Sequence, residues 1–140
     1  MKGNPGLRSI VFDCERPWEL AQWWSEIVEG YHVREWSEEV AEFWRRERGI
    51  ERIEEAPSLV IDPSDQNLPT IWFNRVPERK AGKNRVHIDV NLARTGDIES
   101  LVRRGARVLR PLGAVPDEDW AVMADPEGNE FCAFPPEDLA

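Results

Sequence analysis

Arg85-Val-His-Ile-Asp-Val90, a helical run from Asp97 to Arg104, Gly105, Ala106-Arg-Val-Leu-Arg110, Trp120-Ala-Val-Met-Ala124 and Glu130-Phe-Cys-Ala-Phe134 succeed one another in the second half of the chain. Short β-branched and aromatic runs of this kind read as strands. Ile98, Leu101 and Val102 recur at helical spacing before Gly105 stops the run. The order is strand, helix, Gly, then three strands.

The first half is written the same way. Ser9-Ile-Val-Phe-Asp-Cys14 is a strand, and Arg16-Pro17 opens a helix, with Pro where a missing N–H costs nothing. Trp18, Ala21, Trp24, Ile27 and Val28 keep helical spacing up to Gly30. Tyr31-His-Val-Arg-Glu35, Ser58-Leu-Val-Ile-Asp62 and Thr70-Ile-Trp-Phe-Asn-Arg-Val76 supply three more strands, with a loop over 63–69. An Asp-Pro pair, Asp62-Pro63 or Asp125-Pro126, precedes the last strand of each half and reads as a turn. A repeat of this size changes the fold assignment. The chain is expected to be α+β, with two βαβββ modules at about 7–77 and 84–136 joined by a charged linker.

One segment breaks the symmetry, the insertion at about 36–55. Ser37 suits an N-cap, Gly49 suits a stop, and Trp36, Val40, Phe43 and Trp44 share one helical face. Glu42 and Arg46 are spaced for an ion pair one turn apart. This helix either covers a sheet edge or serves as a pocket lid or dimer contact.

Composition narrows the partners. The 140 residues carry 18 basic and 27 acidic side chains, a net charge of −9. That length suits one domain, and that charge disfavours nucleic acid and anionic membrane surfaces as partners. Seven Trp point to a well-filled core or an aromatic pocket. The N-terminus lacks the basic-then-apolar pattern of a signal peptide, and no apolar run is long enough to span a membrane. Two cysteines do not make a disulfide framework. The expected setting is the cytoplasm, with Cys14 and Cys132 unlinked.

Phe12-Asp-Cys14, Arg16-Pro-Trp-Glu-Leu-Ala21 running into Trp23-Trp24, Phe73-Asn-Arg-Val-Pro-Glu78, Lys83-Asn-Arg-Val-His-Ile-Asp89 and Val122-Met-Ala-Asp-Pro-Glu-Gly-Asn-Glu-Phe-Cys132 span nearly the whole chain. In this order they resemble the vicinal oxygen chelate (glyoxalase/bleomycin resistance/dioxygenase) superfamily. The nearer likeness is to the glyoxalase-like domain common among bacterial proteins. The resemblance implies a single glyoxalase-like domain over 1–140, a curved mixed sheet around a cleft, and a homodimer.

Strand alternation selects the side chains that would line such a cleft. Val86, Ile88 and Val90 share one face, leaving His87, Asp89 and Asn91 on the other. Ile10, Phe12 and Cys14 likewise oppose Val11 and Asp13. With the apolar faces on the helices, His87, Asp89 and Asp13 line the cleft. Family alignment turns Glu130, Cys132 and Phe134 inward as well.

Metal-using superfamily members are expected to place ligands on the first, fourth, fifth and eighth strands. Carried over, the fifth position is His87, the eighth is Cys132, the fourth falls near Trp72, and the first falls on Ser9 or Val11. These positions supply two ligands at best, His87 and Cys132, where a catalytic site needs about three, so no cofactor is expected, although Asp13 or Asp89 could complete an unorthodox divalent-metal set. Asp13, Trp72, His87, Asp89 and Cys132 are the candidate pocket residues, with no catalytic residue assigned. A Cys132–His87 nucleophile pair is a weaker candidate, since no neighbouring charge marks a low-pKa thiol. Asp13, Asp89 and Glu130 could act as acid or base if desolvated. Lys80, Lys83 and Arg85 read as a solvated connector, or Arg85 holds an anionic substrate.

The expected function is small-molecule binding with undefined chemistry. One alternative is a metal-dependent lyase or isomerase acting on a small oxygenated substrate. Another is an antibiotic-sequestering binder for a cationic aromatic ligand, and a vestigial structural domain is the third.

Overall fold

The computed structural model describes residues 6–94 and 96–136. Strand β1 (Ser9–Cys14) leads into helix α1 (Pro17–Ile27), and β2 (Tyr31–Val33) comes next. Helix α2 (Glu38–Arg48) and a 3₁₀ turn at Ile53–Glu55 precede β3 (Ser58–Pro63) and β4 (Thr70–Arg75). The second half comprises β5 (Ile88–Asn91), α3 (Asp97–Arg103), β6 (Arg107–Arg110), β7 (Ala121–Ala124) and β8 (Glu130–Phe134).

The repeat read from the sequence is present in the topology. One four-stranded sheet has the order β1-β4-β3-β2 and the other β5-β8-β7-β6. In each, the first strand runs parallel to the last, while the remaining pairs are antiparallel. This is an α+β fold of two βαβββ modules. The chain divides into two compact units, Met1–Arg79 and Lys80–Ala140.

In the first unit, α1 packs Leu20, Ala21, Trp23 and Trp24 against the sheet. Trp24 meets Phe12 at 5.5 Å between ring centroids, and Phe12 stacks on Phe73 at 5.3 Å. The helix-facing set expected on β1 is therefore the one that packs. In the second unit Phe131, Ala133, Val90 and Leu101 are buried.

Three local expectations are corrected. First, β5 begins at Ile88 rather than Arg85, because its ladder with β8 starts only at the Ile88–Phe131 pair. Residues 85–87 overrun the end of that ladder, and Val86 is 79% exposed. Second, Asp62-Pro63 is not a turn. Both residues lie in β3, with Asp62 in register with His32 and Pro63 with Tyr31. Asp125-Pro126 does form the turn, with Gly128 at a φ of 90° that a residue bearing a Cβ adopts only with strain. Third, Arg46 pairs with Glu47 at 3.3 Å, not with Glu42.

Helix α2 forms where its caps place it. Ser37 Oγ accepts from the Val40 amide at 3.2 Å, and Gly49 takes the left-handed conformation after the last turn. No residue of α2 is buried. No helix among the described residues is long and apolar enough to cross a membrane.

Candidate functional site

His87 stands one residue before β5 and Asp89 within it. Period-two alternation therefore points both side chains to one side, while Val90 enters the core. Asp89 is in register with Cys132 on β8. His87 Nε2 lies 3.2 Å from Asp89 Oδ1. Donor atoms of His87, Asp89 and Cys132 all fall within 4.8 Å of one another.

These three residues border an open cavity of about 320 Å³ within the second unit. Trp120 stacks on Phe134 at 5.4 Å to form its aromatic wall. Arg110 stands over the Trp120 ring at 5.7 Å and is ion-paired with Glu118. Lys83 and Glu130 also line it, and Lys80 reaches Glu130 at 3.2 Å. The linker is tied down here: the Asn84 amide donates to Glu130 at 3.0 Å, and the Asn84 side chain donates to Asn129 at 3.2 Å.

Alternation on β5 selected His87 and Asp89, and the family resemblance turned Glu130, Cys132 and Phe134 inward, but the sequence reading missed Arg110, Glu118 and Trp120. The reason for Arg110 is a β-bulge. Val108 pairs with Met123, yet Arg110 pairs with Val122, so Leu109 is an extra residue in the ladder. The bulge turns Arg110 to the same side as Val122, which also lines the cavity. Strict alternation cannot reveal this.

Asp13 and Trp72 belong to the first unit. Asp13 is exposed, in register with Asn74. Trp72 carries the Arg34 guanidinium at 5.8 Å, and Arg34 binds Asp62 through two 2.6 Å hydrogen bonds. Each module thus places an ion-paired arginine over an indole at the end of its second strand. The ligand-type residues are not repeated. With Cys132 set against Trp72, each third in its strand, the parallel pairings match Asp89 with Val11 and hence His87 with Ser9. Ser9 instead shares a 2.9 Å hydrogen bond with Thr70.

Electrostatics separate the roles in the cavity. Burial pushes the Cys132 thiol above its ordinary pKa, and the charge and hydrogen bond of Asp89 raise it further against the opposing pull of Arg110 and Lys83. A thiol so held stays protonated at neutral pH, which argues against a Cys132–His87 nucleophile pair. Burial also acts to raise Glu130, but the Asn84 amide and Lys80 outweigh it and hold this carboxyl below its usual range. Glu130 is an anion with its counter-charge in place. In the metal-free protein, alkylation of Cys132 should set in above the pH range of an ordinary thiol. Asp89→Asn should move that onset to lower pH, as read from iodoacetamide rates on a Cys14→Ala background. An unmoved or higher onset would remove Asp89 from control of the thiol. Both cysteines are buried, and they form no disulfide with each other.

Imidazole nitrogen, carboxylate oxygen and thiol sulfur together suit a zinc-like divalent ion. Three such donors leave a coordination position open, so the chemistry of the set fits a metal, provided that Cys132 gives up its proton.

Comparison with known proteins agrees with the topology. The profile of the "Glyoxalase-like domain" family matches residues 9–134. A hypothetical protein from S. aureus shares the fold with a TM-score of 0.59 at 12% identity, covering 96% of this chain and 100% of that one. The fosfomycin resistance protein FosX from Mesorhizobium loti gives 0.56 at 15% identity, with 94% and 92% coverage. A glyoxalase/bleomycin resistance protein/dioxygenase family enzyme from Burkholderia phytofirmans PsJN gives 0.57 at 15% identity, with 89% and 94% coverage. No curated protein matches the chain.

Proposed function

The chain belongs to the glyoxalase-like domain family, and on that premise we propose that its second unit binds a small, largely uncharged organic molecule. The observation that carries this reading is the cavity of about 320 Å³ with its Trp120–Phe134 wall. Its size lies at the small end of the range for ligand pockets. Its polar groups are nearly balanced: Lys83 and Arg110 face Asp89, Glu118 and Glu130, and Lys80 offsets Glu130. The net charge of −9 is therefore not concentrated here. A cationic aromatic ligand, as in the antibiotic-sequestering alternative, would meet Arg110 already seated on Trp120 and Arg34 already seated on Trp72. In this reading the protein works as a homodimer in the cytoplasm, and two unlinked cysteines suit a reducing compartment.

A small-molecule screen by NMR tests the proposal. Hits should shift the Trp120 indole resonance, and Trp120→Ala should weaken them at least about tenfold, as for loss of an aromatic anchor. Hits that leave Trp120 unmoved would overturn the assignment to this cavity.

The clustering of His87, Asp89 and Cys132 favours a second reading, a metal-dependent lyase or isomerase. These three residues would hold the ion. When bound, such an ion polarises a substrate carbonyl oxygen and so eases proton removal beside it. The side chains also have work of their own. The Asp89 carboxylate lies 3.2 Å from His87 Nε2 and so favours a ring position beside the strand. Trp120 and Phe134 hold an apolar portion of the substrate and exclude water on that side.

Metal stoichiometry by mass spectrometry decides this reading. Protein soaked in Zn, Ni, Co or Mn should retain close to one ion per chain. His87→Ala or Cys132→Ser should weaken retention by more than the roughly 10–100-fold typical of losing an outer-shell partner. No retained metal under any condition would remove the second reading and leave the first standing.

A further inference from the structure

Helix α2 is an insertion in an otherwise duplicated plan, and it holds an aromatic stripe away from any core. Phe43 is 48% exposed and Val40 40% exposed. Trp36 and Trp44 stack at 6.2 Å, and Phe43 meets Trp44 edge-on at 5.4 Å. The cluster is thus preorganised, with Trp36 and Trp44 half-buried and Val40 and Phe43 uncovered.

Charge is segregated along the same helix. Glu38, Glu39 and Glu42 occupy its first half, while Arg45, Arg46 and Arg48 occupy its second half beside Glu47. Set out as a heptad, Phe43 takes one core position and Val40 and Glu47 the other. Glu39 and Arg46 then fall on the same flanking position, one heptad apart. In an antiparallel pair, like flanks of the two helices lie side by side. The register that seats Val40 on the partner's Phe43 also sets Glu39 beside the partner's Arg46. Two-fold symmetry repeats that contact at the other end. A parallel pair would instead set Glu39 against the partner's Trp44, with no opposite-charge contact within the helix.

We propose that α2 is the self-association element of this protein, pairing antiparallel with α2 of a second copy. Val40 and Phe43 form the dry centre. Glu39 and Arg46 fix orientation, with Arg46 leaving its exposed contact to Glu47 for the partner's Glu39. Glu47 ends the stripe at the rim. An eleven-residue helix pair buries less than a standard interface, so the dimer is a micromolar one.

Analytical ultracentrifugation of the full chain with charge-swap variants tests the pairing. Wild type should show a concentration-dependent monomer–dimer equilibrium. Glu39→Arg alone and Arg46→Glu alone each place like charges at both symmetric contacts and should weaken association roughly tenfold. The double swap should return it to within about threefold of wild type. Phe43→Glu should leave monomer with an unchanged circular dichroism spectrum, since the side chain is exposed in the single chain. A chain that stays monomeric, or a dimer indifferent to both single swaps, would overturn the proposal. Failure of the double swap to rescue would overturn the antiparallel register.

Discussion

Trp24→Ala should cost the first unit about 3–5 kcal/mol, a large share of the 5–15 kcal/mol typical of a small domain. Trp24 is only 1% exposed. It packs against Phe12 at 5.5 Å and against Trp23 edge-on at 5.1 Å, and Phe12 in turn stacks on Phe73. Truncation removes the large apolar area of an indole and leaves a hole that rigid strand backbones on one side cannot fill. Trp24→Phe keeps an aromatic ring and should cost less. Trp18→Ala, on the half-buried side of the same helix, separates loss of core packing from a change in helix propensity. Urea midpoints order the three variants. A Trp18→Ala penalty equal to that of Trp24→Ala would mean that the core is not organised around Trp24.

Asp125→Ala should destabilise the second unit by about 2–4 kcal/mol, because it strands buried donors rather than opening a cavity. The Asp125 carboxylate, 1% exposed, accepts from the amides of Glu127 and Asn129 and from the Asn129 side chain. Asp125→Asn keeps one acceptor oxygen and should lie between wild type and Asp125→Ala. Since this turn launches β8, the loss should also appear in faster hydrogen exchange at Phe131 and Cys132. Unchanged exchange there, with a stability loss elsewhere, would contradict the role given to the turn.

The duplicated topology was legible because its signals are local. Apolar alternation on β1 and β5 and the Pro17 and Gly49 boundaries depend on neighbours in sequence. For the same reason alternation placed His87 and Asp89 together, whereas bringing Cys132 to them needed the family resemblance. The features that stayed hidden depended on a partner strand. The late start of β5 is set by where its ladder with β8 starts, and the position of Asp62 within β3 is set by its pairing with β2. Trp120 read as the first residue of a strand, whereas it precedes β7 and stacks on Phe134. Glu118 lies in a loop whose sequence carries no period at all.

The bulge at Leu109 makes ladder register, rather than side-chain chemistry alone, the coordinate on which the cavity's charge is set. Loss of Leu109 would restore a regular ladder with Arg110 still opposite Val122, whereas a ladder that kept Leu109 without the bulge would seat Leu109 on Val122 and turn Arg110 to the other side. A substitution at position 110 changes one side chain but leaves the facing of its neighbours as it was. A bulge therefore absorbs a one-residue change in length without turning the residues beyond it, so the inward set of a strand can outlast an insertion that strict alternation would read as inverting it.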